Sequence, residues 1–273
     1  MKQRVMTATL IILFLIPFFY SKLVYGHNLP LILLAIVLAI IALTELIAAK
    51  ENQSRIHAIV RLTMYVAMLY LAFNEVVMET VYHRDPLSFD VIPLLVIIVG
   101  LWMVIDRHFR IDEAGFALFG TFYIGLSFLG LSYFLIKRTE LLFYILLITI
   151  LTDTFAYFVG RAIGKRKLIP EVSPNKTVEG SLGGTFVGSL GGALYLYFAT
   201  ENENWLLLIG LSLGLSVVAQ FGDLVASKIK RTVGIKDYGN LFPGHGGVLD
   251  RLDSLLFTAL TLYYVLQLVP NLI

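Results

Sequence analysis

The sequence predicts an all-α fold: a polytopic integral membrane protein with about nine transmembrane helices and a cytoplasmic N-terminus. Three observations carry that prediction. Hydrophobic residues make up 58% of the chain and charged residues only 15%, far from a soluble average. The apolar residues gather into unbroken runs of roughly 18 to 25, the length a helix needs to cross about 30 Å of hydrocarbon. Lysine and arginine concentrate in alternate connections, as they do in cytoplasmic loops.

The spans begin near Val5, Leu29, Ile56, Phe89, Glu113, Glu140, Gly180, Trp205 and Ser254. At this number and length they take up most of the chain and leave no separate soluble domain. The first follows a basic start, Lys2 and Arg4. Its apolar run is longer than a signal peptide's core and no small-x-small cleavage site follows, so it reads as an uncleaved helix. With the N-terminus inside, sixteen basic residues fall on the cytoplasmic side. Only Lys22, Arg84, Lys137 and Arg138 fall outside, with Arg61 left within a span. The expected location is the cell (inner or plasma) membrane, multi-pass, with the polar site facing the cytoplasm. The absence of cysteine excludes disulfides and thiolate metal ligands. A net charge of +2 says little, and no nucleic-acid partner is expected.

The chain divides into residues 1–139, ordinary spans that read as scaffold, and residues 140–273, where glycine and polar residues concentrate. Gly180, Gly184, Gly188 and Gly192 recur every four residues, as do Ala156, Gly160 and Gly164, and again Gly210 and Gly214. Such spacing bares one helix face for close packing, and a homodimer seam there stays open. Arg61, Glu45 and Glu75 lie near span ends, where snorkelling or pairing suffices. Asp153 and Asp223 lie on helices leading to the two long cytoplasmic connections.

Asp223, Ser227, Lys230 and Arg231 stand at i, i+4, i+7 and i+8, one polar stripe on an apolar helix. Beyond it come Lys236, Asp237 and the glycine-rich PGHGG from Pro243 to Gly247, which is too rich in glycine for regular structure. Asp250 and Asp253 then share a face at the start of the last span, with Arg251 between them. Carboxylates interleaved with bases suggest Mg2+, with a second cation as an open option, acting on phosphates. The plain alternative is a solvated basic loop gripping anionic headgroups.

The order Ser227, Ile229, Lys230-Arg231, Lys236-Asp237, Gly239, Pro243, His245-Gly246-Gly247, Asp250-Arg251 and Asp253 closely resembles the signature of the phosphatidate cytidylyltransferases, or CDP-diacylglycerol synthases. Asp153, Ala156-Tyr157, Gly160, Gly164-Lys165 and Ser173 through Gly180 resemble the upstream block of that family. The resemblance implies that CTP and phosphatidate give CDP-diacylglycerol and pyrophosphate, in phospholipid biosynthesis. It implies that Asp223, Asp250, Asp253, Lys230 and Arg231 are catalytic, with Asp223, Ser227, Asp250 and Asp253 as metal ligands. Substrate contacts would come from Asp153, Ser173, Asn175, Lys176, Thr177, Lys236, Asp237, His245, Gly246, Gly247 and Arg251. A packing role for Asp153 as a buried partner of Arg161 or a lysine, and an ordinary loop at Ser173 to Thr177, stay open. Three other readings remain: a CTP-dependent polyprenol kinase or ether-lipid synthase, a CDP-alcohol phosphotransferase, and a transporter using Asp153 and Asp223 as ion sites on broken helices.

Overall fold

The computed structural model describes residues 2–87, 91–200, 203–242, 244, 246–270 and 272–273. Nine helices are present among them: α1 (Lys2–Tyr25), α2 (Leu29–Glu51), α3 (Ala58–Thr80), α4 (Val91–Ile105), α5 (Ile111–Ile136), α6 (Thr139–Ile163), α7 (Val178–Thr200), α8 (Trp205–Thr232) and α9 (Leu249–Leu268). Each expected span has its helix, although Phe89, Pro243 and His245 lie outside the described residues. Among the described residues six helices, α2, α3 and α5 to α8, are long and apolar enough to cross a membrane. α4, with 15 residues, reaches only about 22 Å at 1.5 Å per residue. Asp250, Arg251 and Asp253 make the start of α9 polar.

The connection after α6, read from sequence as a polar loop, contains a short antiparallel hairpin, β1 (Lys167–Ile169) and β2 (Ser173–Thr177). Its base is tied by Val178 N–H donating to the Arg166 carbonyl at 2.9 Å. The Glu179 carboxylate also accepts from the N–H groups of Lys165 and Arg166.

The chain forms two compact units. The first comprises residues 1–136 and 233–251. Within it α3 packs most extensively on α5, and α2 also lies against α5. Leu43, Leu46, Met64, Met68 and Phe128 are fully buried in this core. The Ser132 hydroxyl donates across it to the Ala72 carbonyl at 2.9 Å. Lys22, expected at the outer surface, closes the C-terminus of α5: its ammonium donates to the Leu135 and Ile136 carbonyls, each at 2.8 Å. The final carbonyls of a helix lack internal partners and favour a cation. Lys22→Met keeps the stem and removes the donor, so a loss of about 1 kcal/mol is expected. Thermal unfolding in detergent measures it.

The second unit comprises residues 137–232 and 252–273, and its largest helix pairing is α6 with α7. The glycine stripe of α7 explains that closeness. Gly180, Gly184, Gly188 and Gly192 face Gly160, Ala156, Thr152 and Ile148 in antiparallel order. A Cβ on Gly184 would lie 2.9 Å from that of Ala156, and one on Gly192 would lie 2.7 Å from Ile148. The same logic does not extend to Gly210 and Gly214, whose would-be Cβ positions meet nothing within 4 Å. On α8, Gly222 instead lets the α9 backbone come close, with the Asp253 carbonyl 2.8 Å from its would-be Cβ.

Candidate active site

The second unit builds a polar ladder into its helix core. Tyr144 on α6 bonds Ser212 at 2.8 Å, Thr152 bonds Ser216 at 2.7 Å, and the Gln220 amide donates to Thr185 Oγ1 at 2.7 Å. Ser212, Ser216 and Gln220 recur every four residues on α8, and Asp223 and Ser227 continue their direction one turn at a time. Buried hydroxyls and amides must be paired, and pairing across helices fixes the rotation of α8.

At the end of the ladder lies a cavity of about 400 Å³, lined by residues that include Asp153, Arg161, Asn175, Lys176, Gln220 and Asp223. Lys176 Nζ reaches Asp223 Oδ2 at 2.5 Å, with both side chains half-buried. The Ser227 hydroxyl donates to Asp223 Oδ1 at 3.2 Å. Asp253 lies within electrostatic reach of Asp223, Asp153 and Lys230. Ser254 Oγ lies 3.4 Å from both Asp153 Oδ2 and Asp253 Oδ1. Thr177 lines the cavity wall, but its hydroxyl caps α7 by accepting from Gly180 N–H at 3.1 Å. Ser173 is half-buried on β2, outside the lining; at the end of α8, Lys230 is buried and Arg231 exposed.

The remaining signature residues belong to the first unit. Lys236, Asp237 and Arg251 are exposed, and Gly247 and Asp250 are buried. Asp250 Oδ2 accepts from Tyr238 N–H at 2.7 Å and from Gly247 N–H at 2.9 Å. Gly246 adopts φ +83°, and a Cβ there would sit 2.7 Å from Asp250 Oδ2. This carboxylate therefore organises the backbone around it. His245 lies outside the described residues.

Residues 2–269 match the family model described as the Cytidylyltransferase family. The chain belongs to that family. It is therefore an enzyme, a nucleotidyltransferase. It is 36% identical over 280 residues to the phosphatidate cytidylyltransferase of Bacillus subtilis (strain 168), covering 98% of each chain. The corresponding protein of Staphylococcus aureus (strain COL) is 36% identical over 94% of this chain and 95% of its own. That of Staphylococcus epidermidis is 37% identical over the same shares.

For a cytidylyltransferase the site has a fitting set of hard oxygen atoms. Asp153 and Asp223 line the cavity, Ser227 and Ser254 bond to them and Asp253 adjoins them, a set that suits Mg2+, with Lys176 on the cavity wall and Lys230 near Asp253 adding positive charge. Among the described residues no three His, Asp or Glu side chains converge into a ready ligand set. Gln220 and Ser181 also line the cavity, outside both signature blocks. Gln220 had a usable signal, since it lies one turn before Asp223 on the polar stripe.

Proposed function

We propose that the protein is a phosphatidate cytidylyltransferase working at the cytoplasmic face of the cell membrane. The near-full-length similarity to relatives bearing that name carries this reading. The cavity of the second unit is its proposed seat. A phosphate oxygen of phosphatidate attacks the α-phosphorus of CTP. The bond from that phosphorus to the oxygen bridging the β-phosphorus breaks, and pyrophosphate leaves. The lipid phosphate is already an anion, so no base has to remove a proton and no covalent enzyme intermediate is needed.

Lys176 and Lys230 neutralise phosphate charge, and Arg161 and Asn175 orient the phosphates at the cavity wall. Lys236 and Arg251, exposed on the segment 233–251, are assigned to phosphate binding. Asp223, Asp253 and Ser227 would hold Mg2+, with Asp153 beside them, and the ion would supply charge stabilisation at the triphosphate. The cavity is lined by residues of α6 and α8, so acyl chains can stay in lipid while the phosphate enters.

Purified protein in mixed micelles with phosphatidate, Mg2+ and CTP labelled at either the α- or the γ-phosphorus tests this. The α label is expected in the lipid phase and the γ label in pyrophosphate. A γ label in lipid would mark a kinase and overturn the reading.

A further inference from the structure

We propose that Glu45 on α2 is a positioning residue for the reaction, fixing the backbone at Gly239 and at Gly247 to Leu249 and thereby the places of the flanking Lys236 and Arg251, the groups assigned to phosphate binding. The proposal rests on the function assigned above. Glu45 lies in the apolar run of α2 and is only 9% exposed. Its Oε1 accepts from Val248 N–H at 2.9 Å and its Oε2 from Leu249 N–H at 2.8 Å. Leu249 opens α9, where backbone N–H groups have no partner within the helix and attract an anion.

The glycines of the segment are shaped around this carboxylate. A Cβ on Gly239 would lie 2.6 Å from Glu45 Oε1, and one on Gly247 would overlap both carboxylate oxygens. Phe242 and Gly246 close the turn between them with two backbone hydrogen bonds, of 2.9 and 3.1 Å. Together Glu45 and Asp250 satisfy the N–H groups of Tyr238, Gly247, Val248 and Leu249. Two carboxylates thus pin the backbone at Tyr238 and at Gly247 to Leu249, while Lys236, Asp237 and Arg251 stay exposed. A carboxylate that only stabilised the apolar core would not need to hold backbone that lies between the two groups assigned to phosphate binding.

Glu45→Gln keeps size but replaces one acceptor with an amide donor facing a backbone N–H. Misplacing a binding group by about 1 Å costs up to roughly 100-fold, so kcat/KM for CTP is expected to fall by about 10- to 100-fold. Most of the fall should appear as a higher KM. Glu45→Asp, which keeps both oxygens, is expected to recover part of it. Hydrogen exchange in the substrate-free variant should quicken over residues 238–249 and stay unchanged over α6 to α8. An unaltered KM, with kcat falling only in proportion to the folded fraction, would overturn the proposal. So would unchanged exchange over the segment. Wild-type protein that turns over no CTP with phosphatidate would overturn the functional reading instead, and with it the catalytic part of this proposal; exchange in the variant would still decide whether Glu45 holds the segment.

Discussion

Asp223→Asn is expected to lower CDP-diacylglycerol formation by about 1000-fold, the scale of losing a preorganised electrostatic group at the reacting centre. The substitution is nearly isosteric, so the Ser227 hydroxyl keeps an acceptor at the 3.2 Å position and the ladder of Ser212, Ser216 and Gln220 is untouched. What goes is the negative charge that Lys176 meets at 2.5 Å. In the proposed mechanism that charge would hold the cation and orient Lys176 together. Initial rates with phosphatidate, set beside unfolding temperatures of the same preparations, separate chemistry from folding. The expected pattern is a collapsed rate with a much smaller change in melting temperature, because the two side chains are only half-buried and the Lys176 ammonium left behind can be solvated from the cavity.

The second large effect is structural. Gly184→Leu places a branched side chain where even a Cβ would stand 2.9 Å from Ala156 Cβ and 3.0 Å from its backbone nitrogen. α6 and α7 cannot keep their separation, and because the polar ladder crosses from α6 to α8, its bonds shift too. Overpacking of this kind costs about 3 kcal/mol or more. The control is Gly214→Leu, whose Cβ position meets nothing within 4 Å and which faces outward on α8. Thermal unfolding in detergent should show a large drop for the first and little change for the second.

The two variants also mark how far sequence carries. Apolar runs are local, so all nine helices were legible from where hydrophobicity starts and stops. The stripe Asp223, Ser227 and Lys230 was legible because helical periodicity is fixed, and the α7 glycines because their spacing matches one helix face. Gly210 and Gly214 have the same spacing without a neighbour; spacing offers a surface and cannot say what covers it.

Glu45 shows the opposite limit. A carboxylate in an apolar run signals an unusual cost, but its partners lie 203 and 204 residues away in sequence, and no spacing rule reaches that far. The β1–β2 hairpin escaped because its strands have only three and five residues, and the second is polar and contains Pro174. Asp250 was legible as a carboxylate beside bases, and its place as an acceptor for Tyr238 and Gly247 depends on glycine conformations that composition only hints at.

The most direct test of where the chemistry sits is photo-crosslinking with a CTP analogue bearing a photoreactive group on its terminal phosphate, followed by peptide mapping. Labelling of segments 153–181 and 220–231 that excess CTP suppresses is the predicted result, since these carry Asp153, Lys176 and Asp223 around the cavity. Labelling suppressed by CTP but confined to peptides outside those segments would contradict it.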